Sequence, residues 1–345
     1  MPATLKVNDH STIYFGRAAE LLPRLLGERR AELVTDAEVR RCQPHLFVGR
    51  RPLEVGRGEE SKRLETVAAL YRGLMERGAD RTSFIIGIGG GIVTDIAGFA
   101  AATYMRGIGF GFVPTTLLAQ VDASVGGKNG VNVDGYKNMV GTFAQPQFVI
   151  CDVALLRTLP DREFRAGLAE ALKAGIIADP ELFALLERND FAALRRDEAL
   201  LEEVVYRALK VKADIVARDE RETGDRRLLN LGHTLAHAIE KCRPSLMNHG
   251  EAVAVGTAMV SRAAVRMGLL AESECRRIES ALAGLGFSLD VPADIPELLS
   301  AVARDKKSSG DNVWLVLPET IGRCSSRLTP RSELTELFKI QNSQA

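Results

Sequence analysis

Through residue 155 the chain alternates short apolar runs with stretches of helical periodicity. STIYFG (11–16), AELVTD (31–36), HLFVG (45–49), SFIIGI (83–88) and GIGFGFVPTT (107–116) predict strands, because each is an apolar or β-branched run bounded by turn formers. Between them, AAELLPRLL, SKRLETVAALYRGLMERGA (61–79) and TDIAGFAAATYM (94–105) carry apolar positions at helical spacing. Pro23 inside the first of these marks a helix start or a kink. Strands alternating with helices imply a parallel sheet covered on both faces.

From DREFRAGLAEALKAGII (161–177) almost to the end, helical periodicity dominates. NVWLVLPETIG (312–322) is the one strand-like exception. The expected class is α/β, with an α/β nucleotide-type domain over residues 1–157 and a mainly α-helical domain over 158–345. The join falls near residues 152–161, and neither an internal repeat nor a low-complexity segment appears.

Composition narrows the class without changing this picture. The 345 residues are 46% hydrophobic, 26% charged and 6% aromatic, an ordinary globular profile. Forty-five basic residues balance 45 acidic ones, which argues against non-specific nucleic-acid binding and a polybasic membrane anchor. Apolar runs fall short of the roughly 18 residues that a membrane-spanning helix needs. The start, MPATLKVNDH, lacks the basic and apolar regions of a signal peptide. Cys42, Cys151, Cys242, Cys275 and Cys324 are scattered singly, so a disulfide framework is not expected. A cytoplasmic enzyme or binding protein is the expectation.

Two motifs carry chemistry. Gly87-Ile88-Gly89-Gly90-Gly91 follows an apolar strand and opens a helix whose first turn holds Thr94 and Asp95. Glycines let backbone approach a pyrophosphate, and the helix N-terminus favours its charge, so this is a Rossmann-like turn without the GxGxxG fingerprint. Asp36, ending an earlier strand, is the candidate for ribose hydroxyls; its bland reading is a helix cap. The second motif is histidine. Three of the five histidines, His233, His237 and His249, lie close together in sequence. His233 and His237 share one helix face, and His249 opens the next helix. Two imidazoles and a carboxylate would make a three-ligand catalytic zinc site, and Glu170, on an otherwise small and apolar helix, is the attractive carboxylate. The spacing is not HExxH, which disfavours a zinc protease of that type.

DASVGGKNGVNVDGYKNMVG (122–141) is polar and glycine-rich, with Asp122, Lys128, Asn132, Lys137 and Asn138. Its bland reading is a solvated loop. Its functional reading is a cradle for an anionic, polyhydroxylated substrate. Arg106, Lys173, Lys212, Arg226 and the pair Lys306-Lys307 are further cations near the motifs. Cations gathered in a neutral chain suit a phosphorylated carboxylic acid.

Taken in order, GEESK (58–62), GIGGGIVTD (87–95), YMRG (104–107), PTTLLAQVDASVGGKNGVN (114–132), KNMVGTF (137–143), GLAEALKAGII (167–177), KADIVARDERE (212–222), LNLGHTLAHAIE (229–240), NHGEAVAVG (248–256) and ARDKK (303–307) resemble the sugar phosphate cyclase family, on its 3-dehydroquinate synthase branch. The resemblance covers nearly the whole chain. It implies a zinc or cobalt ion held by Glu170, His233 and His249, with His237 a polar active-site residue and not a ligand. It implies NAD on the glycine turn at Gly90, Gly91 and Asp95, with Asp36, Glu59 and Lys62 toward the adenosine end and Thr115 and Thr116 at its centre. Lys128, Lys137 and Asp122 fall where cofactor and substrate meet, and Asn138, Lys173, Lys212, Glu222, Arg226, Asn230 and Lys306 or Lys307 would line the substrate pocket. An arginine at the position of Arg106 would reach the phosphate across a homodimer interface. Val133, Tyr136 and Leu231 depart from the family's usual residues without removing a charge.

The implied reaction turns 3-deoxy-D-arabino-heptulosonate 7-phosphate into a carbocycle and phosphate by transient NAD-dependent oxidation, β-elimination, reduction, ring opening and aldol closure. Rival readings are a sister cyclase of secondary metabolism, a metal-dependent polyol dehydrogenase of the glycerol dehydrogenase type, and an inactive NAD-binding regulator. Arg226, Asn230, His237 and the DKK lysines favour the carboxylate-bearing substrate over that of a sister cyclase, the many cations disfavour a polyol dehydrogenase, and the metal triad with the cation set disfavours an inactive regulator.

Overall fold

Strands buried on both faces read as near-continuous apolar runs, and the first half of the chain supplies them. The structure, a computed structural model, describes residues 4–244, 246–303, 308–309 and 311–339. Its strands in that half are β1 (Thr4–Asn8), β2 (Ser11–Phe15), β3 (Ala31–Asp36), β4 (Leu53–Val55), β5 (Phe84–Gly89), β6 (Gly109–Pro114), a hairpin of β7 (Lys128–Val133) and β8 (Tyr136–Phe143), and β9 (Phe148–Cys151). Among the described residues seven of them form one sheet in the order β1-β2-β9-β6-β5-β3-β4. β1 runs antiparallel to β2, and the remaining neighbours are parallel. The interleaved helices are α1 (Ala18–Leu26), α2 (Ala37–Cys42), α3 (Leu64–Glu76) and α4 (Gly91–Thr103).

β5 is buried at every residue, as its run FIIGIG predicts for a strand inside the sheet. Phe84, Ile86 and Ile88 share one apolar cluster with Ala18, Leu22 and Leu26 of α1 and with Phe148 and Ile150 of β9. α1 runs through Pro23, so the proline marks no helix start; Pro23 leaves only the Ala19 carbonyl without its usual helical donor. HLFVG is not a strand. Pro44 opens a 3-10 turn over Pro44–Phe47 and the turn buries Leu46 and Phe47 into the same cluster. The neighbouring strand is β4 instead.

The polar stretch expected as a loop or cradle is a β-hairpin. β7 and β8 pair from Lys128↔Phe143 to Val133↔Tyr136 around Asp134-Gly135. Both turn residues have positive φ, 49° and 78°, the backbone that an Asp-Gly hairpin turn requires. β7 packs on α4. Gly98 of α4 permits this approach: a Cβ there would lie 3.0 Å from the Phe112 ring and overlap the Asn129 amide. That amide is pinned, donating to the Gly127 carbonyl at 3.1 Å and the Ala144 carbonyl at 2.9 Å.

The remaining elements are α5 (Asp161–Ala178), α6 (Pro180–Arg188), α7 (Phe191–Arg196), α8 (Glu198–Arg218), α9 (His233–Cys242), α10 (His249–Arg266), α11 (Glu272–Gly284), α12 (Ile295–Ala303), β10 (Ser308–Ser309), β11 (Asn312–Thr320), β12 (Arg323–Pro330) and α13 (Arg331–Leu337). Aspartates start the short helices: Asp179 caps α6 and Asp190 caps α7. The strand-like NVWLVLPETIG is β11. It pairs antiparallel with β10 and β12, and β12 gave no sequence signal because RCSSRLTP lacks an apolar alternation. α10 packs against α9, α11 and β11. By contacts the chain divides into two compact units, Met1–Phe164 with Leu201–Arg221, and Arg165–Leu200 with Glu222–Ala345. Most of α8 therefore belongs with the sheet. No helix among the described residues is long and apolar enough to cross a membrane.

Gly98→Ala should destabilise the sheet unit by about 1–3 kcal/mol, the usual range for overpacking a filled site. A denaturant midpoint unchanged from the parent protein would refute this account of the α4–β7 contact.

Candidate active site

The candidate metal ligands come from three helices of the second unit. Glu170 lies on α5, His233 opens α9 and His249 opens α10. α10 begins where it does because Asn248 and Glu251 form a capping box: Asn248 Oδ1 accepts from Glu251 N at 2.9 Å, and Glu251 Oε2 accepts from Asn248 N at 2.8 Å. α9 begins behind Gly232, which has φ 75°. One potential ligand atom from each of Glu170, His233 and His249 lies within 4.8 Å of the others. Glu170 Oε1 is 3.2 Å from His249 Nε2 and 3.5 Å from His233 Nε2.

These separations suit a shared cation. Donors about 2.0–2.1 Å from a tetrahedral zinc ion are separated by about 3.3 Å. The outer nitrogens are also committed. His233 Nδ1 donates to the Leu231 carbonyl at 3.1 Å, which leaves its Nε2 lone pair facing Glu170. His249 Nδ1 lies 3.2 Å from Glu240 Oε1. Glu170 Oε2 pairs with the Lys173 ammonium, whose Nζ also donates to the Leu229 carbonyl at 2.8 Å. Burial would raise the Glu170 pKa, but the Lys173 cation and His249 outweigh it and hold the carboxyl well below its ordinary value. Burial, then the Lys173 cation, pushes His233 well down, so its ring is neutral. Burial opposes the charge on His249, yet the Glu170 and Glu240 carboxylates push its pKa up to about 10. An ionised carboxylate and two imidazoles aimed at one volume form the donor set of a catalytic zinc or cobalt site. His237 lies beside His233 with the rings edge-on, centroids 5.6 Å apart, and is not in the three-residue group.

In the first unit, β5 ends at Gly89, Gly90 caps α4, and α4 starts at Gly91. A Cβ on Gly89 would overlap Val93, one on Gly90 would lie 3.0 Å from Thr116 Cγ2, and one on Gly91 3.2 Å from Ala123 Cβ. Thr115 N donates to the Gly89 carbonyl at 2.9 Å, so the turn and the threonine pair form one surface. Lys62 pairs with Asp95 and donates to Asn138 Oδ1 at 2.6 Å. Burial raises the Asp95 pKa against the pull of Lys62. Asn132 ties the hairpin to this group. Its Nδ2 donates to Glu59 Oε1 at 2.7 Å and its Oδ1 accepts from Asn138 N at 2.8 Å. Asn138 takes a left-handed φ of 53°. Glu59, Lys62, Asn132 and Lys137 line a cleft of about 410 Å³. Lys212 Nζ donates to Asp122 Oδ1 at 2.5 Å.

The other candidates are placed as follows. Asp36 Oδ1 accepts from Val39 N at 2.8 Å and caps α2. Lys128 is exposed at the start of β7. Arg106 is exposed on a turn with a left-handed φ of 70°. Arg226 is buried in the 3-10 turn Asp225–Asn230, and Asn230 donates to Glu222, whose φ is 62°. Lys306 and Lys307 lie outside the described residues. Asn132, read from the sequence only as part of a substrate cradle, instead ties the hairpin to Glu59, and Glu240 is absent from the candidate roles. Glu240 follows His233 by two turns and shares the α9 face of His233 and His237, a periodicity visible in HTLAHAIE.

Comparison with known proteins places this geometry. Residues 52–166 match the 3-dehydroquinate synthase N-terminal family, and residues 167–308 the 3-dehydroquinate synthase C-terminal family. A 3-dehydroquinate synthase from Alkaliphilus metalliredigens (strain QYMF) is 41% identical over 94% of this chain and 95% of its own. The chain belongs to the 3-dehydroquinate synthase family. The glycine turn lies in the N-terminal match, and Glu170, His233 and His249 lie in the C-terminal one. Solved sugar phosphate cyclases share the fold. A 2-deoxy-scyllo-inosose synthase, complexed with carbaglucose-6-phosphate, NAD+ and Co2+, is similar at TM-score 0.87 and 26% identity over 97% of this chain and 98% of its own. A 2-epi-5-epi-valiolone synthase from Streptomyces hygroscopicus subsp. jinggangensis 5008, with NAD+ and Zn2+ bound, is similar at TM-score 0.86 and 29% identity over 98% and 97% of the two chains.

Gly256→Ala tests the support of the cluster. A Cβ there would lie 3.1 Å from the Gly232 carbonyl carbon and closer still to its oxygen, just before His233. The variant should lose zinc affinity and thermal stability together; full retention of both would refute this packing argument.

Proposed function

We propose that this chain converts 3-deoxy-D-arabino-heptulosonate 7-phosphate into 3-dehydroquinate and phosphate by transient oxidation, phosphate β-elimination, reduction, ring opening and intramolecular aldol closure. The observation that carries the reading is the converging Glu170–His233–His249 donor set in a chain of this family. When bound, NAD supplies a transient hydride acceptor and the divalent ion polarises the hydroxyl to be oxidised.

The protein's own part is positioning and charge. Glu170, His233 and His249 would hold the ion, and Lys173 keeps Glu170 ionised. His237, half-buried beside His233, would be a polar group of the site without being a ligand. The bare backbone at Gly89–Gly91 and the start of α4 would receive the cofactor's pyrophosphate, with Thr115 and Thr116 alongside. Glu59, Lys62 and Asp36 would serve its adenosine end. Lys128, Lys137 and Asn138 on the hairpin would meet hydroxyls and anion, and Arg226 and Asn230 the carboxylate end. Lys212 is held by Asp122 and would present its charge from there. A NAD-binding part ending near residue 157, a metal- and substrate-binding part after it, and a homodimer in which Arg106 reaches a partner's substrate all belong to this proposal.

The test is phosphate release from 3-deoxy-D-arabino-heptulosonate 7-phosphate with metal and trace NAD. Many phosphates per NAD, without net NADH, are expected. Turnover only on sedoheptulose 7-phosphate or glucose 6-phosphate would overturn the substrate. Stoichiometric NADH from a simple polyol would overturn the reaction class.

Glu170→Ala and His249→Ala should lose bound metal and turnover together, whereas His237→Ala should keep metal and lose rate. Metal retained by His249→Ala, or lost from His237→Ala, would show that the histidine roles are exchanged.

A further inference from the structure

We infer that Glu240 is a positioning residue of the metal centre, an inference that rests on the metal-binding reading above. Its carboxylate stands behind His249 on the side away from Glu170. His249 Nδ1 is 3.2 Å from Glu240 Oε1, and His249 Nε2 is 3.2 Å from Glu170 Oε1. The imidazole is thus held at both nitrogens. An ionised carboxylate can only accept, so with an ion bound Glu240 would hold the proton on Nδ1 and leave Nε2 to face the ligand cluster.

His233 shows by contrast why a charge is needed here. Its Nδ1 is held by a backbone carbonyl, that of Leu231, and its side chain is 11% exposed. The His249 side chain is 31% exposed, at the first residue of α10, where the Asn248–Glu251 capping box anchors the backbone. Both rings stand at the first residue of a helix, and the more exposed of the two needs the stronger tether. Glu240 supplies it from α9, the helix that begins with the other histidine, so one rigid element sets both imidazoles.

Charge points the same way. A divalent ion, the Glu170 carboxylate and the Lys173 ammonium leave two positive charges in a largely buried volume. The Glu240 side chain is 14% exposed, and its carboxylate cancels one of them. A neutral residue at this position would leave the bound state under-compensated in a medium of low dielectric.

The experiment uses the full chain with Glu240→Ala and Glu240→Gln. Zinc and cobalt affinities are measured by chelator competition, the visible absorption of the cobalt form is recorded, and NAD affinity and thermal unfolding report on the fold. Glu240→Ala should weaken metal binding about 10- to 100-fold and shift the cobalt absorption, with NAD affinity unchanged. Glu240→Gln keeps an acceptor oxygen and the side-chain volume, so it should recover part of the loss. Wild-type metal affinity and an unshifted cobalt spectrum in both variants would overturn the inference. So would an equal loss of NAD affinity, which would mark Glu240 as a general structural residue. If the unmodified protein takes up neither metal, the metal-binding reading itself fails, and that result is distinct from the others.

Discussion

The candidate metal centre depends on backbone meeting backbone at two glycines of α10. A Cβ on Gly250 would lie 2.7 Å from the Ala166 carbonyl carbon of α5, and one on Gly256 would overlap the Gly232 carbonyl before α9. Those approaches bring the helix carrying Glu170 and the helix carrying His233 against the helix that starts with His249. Each glycine inside a helix costs about 1 kcal/mol relative to alanine. The surrounding residues of α10, from Ala252 to Val255, are buried and offset that cost by packing. The separations within the donor set therefore follow from main-chain packing, which is stiffer than any side-chain rotamer.

Electrostatics then decides what the packed cluster is. A buried carboxyl without partners would take up a proton, since burial disfavours its charged form. Lys173, one helical turn along α5, prevents this at Glu170, and the same cation helps to keep His233 neutral. At the Lys62–Asp95 pair in the other unit the balance runs the other way, and burial raises the Asp95 pKa against the pull of Lys62. Buried pairs of this kind contribute little net stability, because desolvation offsets their attraction. What they contribute is orientation: Lys62 also holds Asn138, and Lys173 also holds the Leu229 carbonyl just before the histidine helix.

Much of this was legible in the sequence, for identifiable reasons. FIIGIG and AELVTD are strands because their apolar runs sit between helices of clear period, and the histidines cluster because two of them are a helical turn apart. The failures are equally physical. HLFVG has strand composition, but Pro44 sets a helical turn, and local backbone preference won. Asp134-Gly135 was a hairpin signal hidden in a polar segment whose strand β8 is mostly exposed and so shows no hydrophobic alternation. β12 is likewise polar and forms because β11 offers an edge. Asn132 and Glu240 act by hydrogen bonds to other side chains, which leave no pattern in a single sequence beyond the helical spacing of Glu240. Asp36 shows the limit of reading one residue from its position: the structure uses it as a cap on α2, which leaves its role toward a ribose to experiment.

The substrate is a matter of side chains and not of backbone. Two solved cyclases with different named products match this chain at TM-scores of 0.87 and 0.86, so the fold by itself selects neither. Sequence identity separates them, at 26% and 29% against 41% for the Alkaliphilus metalliredigens 3-dehydroquinate synthase. The proposed metal centre does not discriminate either, because it would act on a hydroxyl, which any sugar phosphate offers. Discrimination in favour of a keto-acid requires a cation at the carboxylate. Among the described residues of the second unit, the buried cationic side chains are Lys173 and Arg226. Lys173 is committed to Glu170. The proposed reading gives that part to Arg226, buried in the turn that also carries Asn230, because a guanidinium can read a planar carboxylate by paired hydrogen bonds.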